Sequence, residues 1–342
     1  MAEYHALVER GDSDGAAKKV TSCVYLTQKL LLILLEALLE EGVDYIVAPY
    51  SANAQIAYLV KNGYANFAIG EDSEMPLYKD VRFTLFKYNP GSFAGNLYDA
   101  EKLPDCFNPK DFNYTFTSFR RFCILSGCDF VRSLKGIAIN KAKKFFNSVP
   151  VDSNVDILFE LPRVLSSKAL VVPQKYVEDF RLAELAFDYE LVIDPATRKL
   201  VHLNPVPKHV QSYVKQFSRF SLKDSQLLDY ALGILDFKTL EPLEDYSHLR
   251  KVAEKKFFNN PVSVWHPKCP RVSMKNFLAL KAKGRKDEDK REVAAAKRAA
   301  TIRAQEAAGI FSITKRKSME KTAMEGGESL GGGKSRAKKQ KN

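Results

Sequence analysis

Hydrophobic and polar residues follow two periodicities along the first part of the chain. Residues 1–41 are rich in good helix formers, and Gly42 supplies a stop after them. Short apolar runs at Tyr45–Ala48 and Ala65–Ile69 predict buried strands, and the residues between them have helix composition. Strand, helix and strand in this order form a βαβ unit, which predicts a parallel sheet.

The rest of the folded part is predicted to be mostly helical, with a few short strands. Alternating apolar and polar residues predict the strands, and glycine and proline mark the turns. The further predicted elements are a strand at 81–87, a turn at 90–91, mainly helical structure over 110–186 with helices at 116–125 and 139–146, a turn and strand over 194–203, and a helix at 225–232.

Composition divides the chain into a globular part and a basic tail. With 342 residues and 45% hydrophobic content, the chain can bury one large core or two modest ones. Residues 268–342 hold 21 Lys and Arg against 8 Asp and Glu, so the net charge of +12 belongs to the tail. We expect this tail to be disordered, and its basic clusters fit a solvated tail, a nuclear import signal or phosphate contacts.

Cysteine usage and hydropathy predict a soluble intracellular chain with no membrane partner. The five cysteines are odd in number and form no Cys-x-x-Cys pair, which favours a reducing compartment. The longest wholly apolar run, Leu30–Leu35, is too short to span a bilayer, and no signal peptide precedes it.

Short polar and acidic side chains follow the predicted strands, where hydrolytic metal sites are often built. Asp72 and Glu74 follow the second strand, and at a spacing of two residues they share a side if strand geometry continues. Asp129 would join them from a helix entry. Carboxylates of this kind hold Mg²⁺ or Mn²⁺ for phosphodiester hydrolysis, although solvated loop acids are the plainer interpretation. Ser51 and Asn53 stand where such a site wants carboxylates.

The link over residues 127–138 is the second candidate. Its glycines allow the backbone to approach a nucleic-acid phosphate, directly or through a monovalent ion. Three lysines of the next helix, Lys141, Lys143 and Lys144, add positive charge. The alternative is a tight helical hairpin with a solvated lysine face.

Three blocks of sequence together resemble the exonuclease 1 branch of the XPG and flap-endonuclease family of 5′ nucleases. They are Gly42-Val43-Asp44 through Pro49-Tyr50 to Leu59, then Glu71-Asp72-Ser73, then Cys123 to Ile137 with Leu-Ser-Gly-Cys-Asp at its centre. The similarity covers roughly residues 5–245, with an echo at 263–266. It implies an α/β fold with a partial PIN-like, XPG-type parallel sheet flanked by helices, and a helical helix-two-turn-helix subdomain before the basic tail.

The resemblance also implies how the chain is divided. We expect a helical segment at 1–40, an α/β core like the XPG I-region at 41–115, a helix-two-turn-helix region at 116–245 and an extended tail at 246–342.

Family members hold two magnesium ions with seven acidic residues, so the resemblance assigns a role to each candidate. Asp72, Glu74 and Asp129 match three of these ligands and are the implied catalytic residues. Ser51 and Asn53 match two more and are not acids, and the last two lie in a family region upstream of this sequence. Losing one ligand costs about 10- to 100-fold in affinity or activity, so this set predicts weak or absent turnover.

The helix-two-turn-helix of the family binds K⁺ and DNA. By position, Ser126, Ser133 and Ile137 are the implied potassium ligands. The implied DNA contacts are Gly136, Ile137, Ala138, Lys141 and Lys144, where Ala138 replaces a usual glycine. The expected partners are double-stranded DNA with nicks, 5′ ends or flaps, together with mismatch-repair proteins, and the expected location is the nucleus.

Three functions remain open from the sequence. The first is a metal-dependent 5′ nuclease of DNA repair. The second is a catalytically inactive DNA-binding or partner-binding paralogue that keeps the helix-two-turn-helix platform. The third is an interaction protein whose basic tail contacts RNA or acidic partners.

Overall fold

The computed structural model describes residues 2–23, 27–109, 112–150, 153–215, 222–243, 246–271 and 297. Residues 1–273 form one compact unit. The tail predicted to be extended begins at residue 246, but residues 246–271 are described and include the helix Leu249–Ala253 and the buried Trp265. Apart from residue 297, the rest of the basic tail falls outside the described residues, so its predicted disorder stays a prediction. Among the described residues, no helix has the length and apolar content needed to cross a bilayer.

Helices make up most of the regular secondary structure of the described residues. The α-helices are α1 Ala2–Glu9, α2 Ser13–Cys23, α3 Gln28–Glu40, α4 Ala52–Lys61, α5 Phe116–Ser126, α6 Ile139–Ser148, α7 Leu161–Val164, α8 Gln174–Tyr189, α9 Gln211–Val214, α10 Asp224–Ala231 and α11 Leu249–Ala253. The strands are β1 Ala68–Ile69, β2 Phe83–Asn89, β3 Ala94–Asp99, β4 Leu191–Asp194 and β5 Lys199–His202. Short 3₁₀ helices include Met75–Leu77 and Ala100–Cys106.

The described sheet is smaller and less parallel than the sequence predicts. Strand β1 pairs with β2 in parallel, with Ala68 opposite Thr84, but β3 pairs with β2 antiparallel. Strand β3 was missed because its side chains are mostly exposed and show no alternation of burial. The Pro90-Gly91 turn between the two strands was the available signal for this hairpin. Strands β4 and β5 form a separate antiparallel pair.

The predicted strand at Tyr45–Ala48 is wrong as secondary structure. These residues belong to no helix or strand, and the described residues that bond their backbone do not lie in strands. The Val47 N–H donates to the Ala231 carbonyl oxygen at 2.9 Å, and the Trp265 indole N–H donates to the Tyr45 carbonyl oxygen at 3.1 Å. Without a neighbouring strand no ladder forms, so the predicted βαβ unit is present only as α4 followed by β1.

The helix predictions around the two candidate sites are confirmed. Helices α5 and α6 occupy 116–126 and 139–148, within two residues of the predicted bounds. Thr115 caps α5 by accepting a hydrogen bond from the Ser118 N–H at 3.0 Å. Phe145 and Phe146 of α6 are buried against α5 in the main core, and Lys141 and Lys144 remain exposed. The amphipathic pattern of α6 therefore sets which of its faces meets solvent.

Two ion pairs join α5 to α8. Arg120 makes a bidentate pair with Asp188, with N–O distances of 2.6 and 2.8 Å, and Arg121 pairs with Glu184 at 2.6 Å. All four side chains are at most one-third exposed, so the pairs are screened less than surface pairs. Helix α8 is thereby held in place, and its C-terminal end carries Glu190.

Helix α4 is also tied to the second pair of strands. The side chain of Gln55 donates to the Ile193 carbonyl oxygen and accepts from the Ile193 N–H, both at 2.8 Å. Gln55 is 3% exposed, so this reciprocal pair satisfies a buried amide completely at one end of β4. The start of α4 and the end of α8 are therefore adjacent.

A candidate acid-lined site and the link between two helices

The acid-lined site consists of Ser51, Asn53, Asp72, Glu74 and Asp129. The structure brings together all five residues that the sequence assigned to metal ligands or to their replacements. Ser51 is the N-cap of α4 and accepts a hydrogen bond from the Asn53 N–H at 3.1 Å. A short polar side chain at this position satisfies one of the free N–H groups of the first turn. Ser51 therefore has a local structural role.

Asn53 and Asp72 are directly bonded. The Asn53 Nδ2 donates to Asp72 Oδ2 at 2.6 Å. The other carboxylate oxygen of Asp72 accepts from the Glu74 N–H at 2.8 Å. Both Asp72 oxygens are therefore engaged by donors from the protein.

The expected strand geometry between Asp72 and Glu74 is wrong. Strand β1 ends at Ile69, and Asp72 makes a tight turn by accepting from the backbone two residues later. Glu74 then precedes the 3₁₀ helix that begins at Met75. The two carboxylates are near each other because of this turn, not because they alternate along a strand.

Glu74 connects the α/β part of the site to the helical part. Its Oε1 accepts a hydrogen bond from the Asp129 N–H at 2.7 Å. Partial burial raises the pKa of Glu74, the Asp129 N–H opposes that rise, and the nearby carboxylates of Asp129 and Asp72 add to it. The Asp129 side chain itself is exposed at the start of the link.

A buried carboxylate lies behind this site, and the sequence did not single it out. Glu190 is 6% exposed, and its Oε2 has no hydrogen-bond partner among the described residues. Burial raises the pKa of Glu190 to about 7, and a hydrogen bond from the Ser51 N–H opposes the rise. The only sequence signal was an acid directly before an apolar strand, which is usually exposed.

Tyr78 completes the buried surroundings of Ser51. It is 2% exposed, and burial raises the pKa of its phenol, while the Ser51 hydroxyl acts in the opposite direction. The carboxylates of Glu190, Glu74 and Asp72 add to the rise. The phenol of Tyr78 therefore lies within electrostatic range of all three acids.

The donor set of the acid-lined site does not fit a pair of divalent cations. Two such ions lie about 4 Å apart and need several carboxylates with free oxygens. Here Asn53 occupies one oxygen of Asp72, and two neutral side chains stand at ligand positions. Among the described residues, no three His, Cys, Asp or Glu side chains are placed to hold a metal ion.

The α5–α6 link, residues 127–138, is built largely from local contacts. Gly127 has φ of 109°, and a Cβ there would lie 3.3 Å from the Ser133 backbone nitrogen. The Cys128 N–H donates to the Val131 carbonyl oxygen at 2.9 Å, and the Ile137 N–H donates to the Leu134 carbonyl oxygen at 2.9 Å. Gly127 is therefore required by both its backbone angle and the space around it.

The far end of the link presents backbone and lysine to solvent. Gly136 has φ of 82° and is exposed, and its carbonyl oxygen accepts from Lys141 Nζ at 2.8 Å. Ala138 is the N-cap of α6 with φ of −124°, an extended angle that any residue adopts. The alanine in place of a family glycine therefore causes no backbone strain. Lys144 lies on the exposed face of α6.

The implied potassium ligands are only partly tested by geometry. Ser126 donates its hydroxyl proton to the Phe122 carbonyl oxygen at 2.6 Å. A donated bond uses the proton and not the lone pairs, so this contact is compatible with a cation ligand. Ser133 is exposed, and Ile137 has a buried side chain. K⁺ binding by Ser126, Ser133 and Ile137 therefore stays a prediction.

The cysteines beside the link are not reactive thiols. Cys106, Cys123, Cys128 and Cys269, the cysteines whose side chains the structure describes, are free. Burial raises the pKa of Cys123 to about 12 and raises that of Cys128 as well. A protonated thiol is a poor nucleophile, so these side chains act as packing groups.

Comparison with known proteins places the chain in a family. Residues 42–129 match the XPG I-region model. The chain is 34% identical to exonuclease 1 of Danio rerio over 249 residues and 33% identical to exonuclease 1 of Xenopus laevis over 243 residues. Each match covers 70% of this chain, but 29% and 32% of the relative.

A further relative and a solved structure also match the chain. Exodeoxyribonuclease 1 of Schizosaccharomyces pombe is 31% identical over 230 residues, which cover 66% of this chain and 38% of that protein. The chain thus spans about a third of the length of these relatives. A solved structure of the catalytic core of Rad2 in complex with DNA substrate matches 75% of this chain and 69% of its own, at 16% identity and a TM-score of 0.33. The family match and the relatives together show that residues 42–129 of this chain carry an XPG I-region and that the chain is similar to exonuclease 1 over about 70% of its length.

Proposed function

We propose that this chain is a DNA-binding member of its family that cleaves DNA weakly or not at all. The observation that carries this proposal is the hydrogen bond from Asn53 to Asp72 at 2.6 Å. Where a two-metal nuclease needs a second carboxylate to hold a cation, this chain has an amide that donates to the first carboxylate. An arrangement with fewer free anionic ligands binds hard cations less well.

The α5–α6 link supports the DNA-binding half of the proposal. Exposed backbone at Gly136, with Lys141 and Lys144 beside it, can meet phosphate groups without reading bases. The proposed ligand is duplex DNA with a nick, a 5′ end or a flap, and K⁺ at Ser126, Ser133 and Ile137 is part of the same proposal. Mismatch-repair proteins as partners and the nucleus as location are proposed from the family alone.

The alternative, an active Mg²⁺- or Mn²⁺-dependent 5′ nuclease, is favoured by the family and by the three acids that remain, Asp72, Glu74 and Asp129. A single experiment separates the two functions. Purified chain is titrated against fluorescent nicked, 5′-recessed and intact duplexes in K⁺ over a range of salt, and the same mixtures are then given Mg²⁺ or Mn²⁺.

We expect tighter binding to the nicked and recessed duplexes and affinity that falls steeply with salt, since phosphate contacts release counterions. We also expect few nucleotides to be released with either metal. Rapid stepwise degradation from the 5′ end would contradict the loss of cleavage, and equal weak binding to all duplexes would contradict the role of the link.

A further inference from the structure

Two carboxylates of the acid-lined site, those of Asp72 and Glu74, accept hydrogen bonds from donors within the protein. An amide N–H carries partial positive charge, and a carboxylate attracts that charge as it attracts a cation. Between Asn53 and Asp72 only the NH₂ end of the amide gives an attractive contact, because its oxygen would face a carboxylate oxygen. The 2.6 Å distance is short, as is usual for hydrogen bonds to charged acceptors.

The second carboxylate of the site is held in the same way. The Asp129 N–H donates to Glu74 Oε1 at 2.7 Å, across 55 residues of sequence. This bond ties the start of the α5–α6 link to the turn after β1. In this arrangement a main-chain donor faces Glu74 and attaches the link to the α/β part.

Glu190 lies next to Ser51, the third position of the site to be considered. The Glu190 carboxylate faces the Ser51 N–H, is 6% exposed and lies in range of the Tyr78 phenol. A carboxylate at position 51, as in the family, would bring a second negative charge close to Glu190 in a buried setting. Two such groups repel strongly where water is excluded. Serine at position 51 and glutamate at position 190 are therefore a compatible pair.

We propose that donors from within the protein replace the divalent cations at the acid-lined site, so that the site joins α4, the turn after β1 and the α5–α6 link without metal. The Asn53 amide takes the cation's place on Asp72, the Asp129 N–H holds Glu74, and Glu190 occupies the space behind Ser51. The site is a structural junction that keeps the link in position. This proposal rests on the loss of cleavage in the proposed function and not on DNA binding.

The test compares two Asn-to-Asp substitutions in the same helix. Asn53→Asp places a carboxylate against Asp72, whereas Asn62→Asp changes the C-cap of α4, where the Asn62 amide donates to the Tyr58 carbonyl oxygen at 2.9 Å. The melting temperature of each protein is measured in EDTA and in millimolar Mn²⁺ at matched ionic strength. The readout is the difference between the two conditions, so any general destabilisation cancels.

We expect the same melting temperature in EDTA and Mn²⁺ for the unchanged protein and for Asn62→Asp. We expect Asn53→Asp to melt several degrees lower in EDTA and to regain stability in Mn²⁺, because a cation then bridges the two carboxylates. A saturable rise in the melting temperature of the unchanged protein in Mn²⁺ overturns the proposal. The proposal is also overturned if the melting temperature of Asn53→Asp is the same in Mn²⁺ as in EDTA.

Asn53→Ala covers the case in which Asn53→Asp does not fold. It removes the donor without adding a charge, and we expect a lower melting temperature than that of the unchanged protein in EDTA. An unchanged melting temperature contradicts the proposal, because the amide then contributes nothing to the junction. DNA binding of the unchanged protein is measured separately, so a failure of the proposed function is distinguished from a failure of this junction.

Glu190 has its own arm of the test. Ser51→Glu is made alone and together with Glu190→Gln, and both proteins are melted in EDTA. At pH 8, above the pKa of Glu190, we expect Glu190→Gln to stabilise the Ser51→Glu protein more than it stabilises the unchanged protein, since the repulsion between the two carboxylates is then absent. An equal or smaller gain in the Ser51→Glu protein overturns the assignment of Glu190 to the space next to position 51.

Discussion

The acid-lined site and the α5–α6 link are built by different kinds of contact. In the link, hydrogen bonds join residues three to five positions apart, as from Cys128 to Val131 and from Lys141 to Gly136. The acid-lined site also has hydrogen bonds two positions apart, but its segments are joined by bonds across 19 and 55 positions. A local turn keeps its shape as long as its own sequence is kept, whereas an assembled site changes whenever one contributing segment changes.

The structure also shows why the residues at positions 138 and 53, where the resemblance implies a glycine and a carboxylate, differ in effect. Ala138 has an extended backbone angle, so the link tolerates its Cβ. Asn53 contacts the Asp72 carboxylate, so its amide makes a hydrogen bond where a carboxylate would repel. The structural consequence of a substitution depends on its partner and not on the size of the chemical change.

We expect the largest effect when the packing of α6 against α5, which supports the link, is removed. Phe145→Ala deletes a fully buried ring where α6 packs against α5, and we expect a loss of about 3–5 kcal/mol in the free energy of unfolding. Urea denaturation measures this loss. Ile139→Ala on the same helix, where the side chain is 56% exposed, is the control and should change stability by less than about 0.5 kcal/mol. Similar losses for both variants would mean that α6 is not anchored by its buried face.

The next effect concerns Glu190, the buried acid next to Ser51 of the acid-lined site. Glu190 keeps its proton in the folded protein up to about pH 7, whereas its ordinary pKa is 4.5. Between these values the folded state binds more protons, so stability falls as pH rises, and the full penalty applies above pH 7. Glu190→Gln removes this penalty, and we expect a gain on the order of 3 kcal/mol at pH 8 and little change at pH 4.5.

Thermal or urea denaturation at the two pH values checks the Glu190→Gln prediction. Glu178→Gln, which changes an exposed glutamate of α8, is the matched control and should show the same small effect at both. If Glu190→Gln gave the same change in stability at pH 4.5 and pH 8, the burial of this carboxylate would not be the cause.

A smaller effect compares the two glycines of the link. Gly127→Ala introduces a Cβ 3.3 Å from the Ser133 nitrogen at φ of 109°, and we expect a loss of about 1–3 kcal/mol. Gly136→Ala meets open space at φ of 82°, so only the backbone strain of about 1 kcal/mol applies. The unfolding free energies of the two variants give the difference. Equal losses would show that the contact with Ser133 does not limit the link.

The smallest effect sharpens the role of the exposed lysines. Lys144→Ala should weaken binding about equally for all DNA sequences and reduce the slope of log affinity against log salt by about one, since one phosphate contact is lost. Lys175→Ala, which removes an exposed lysine paired with Asp179 on α8, is the control. Fluorescence anisotropy over a salt series measures both. An unchanged slope for Lys144→Ala would place the DNA away from this face of α6.

Much of the fold was predictable because it depends on local pattern. The positions of α5 and α6, the strand β2 and the glycines of the link follow from periodicity, capping and turn chemistry. The absence of a strand at Tyr45–Ala48 was not predictable. A strand needs a partner strand, and the sequence does not say which segment lies beside it. Strand β3 was missed because exposed strands carry little alternation.

The sequence by itself determined the resemblance to the XPG family, the neutral residues at positions 51 and 53 and the exposed lysine face of α6, since these depend on residue identity and local spacing. Only the tertiary structure decided that Asn53 donates to Asp72, that Asp129 bonds to Glu74 and that Glu190 lies behind Ser51. These contacts join four separate segments, and the energy of a polar group depends on which partner the fold places within hydrogen-bond distance.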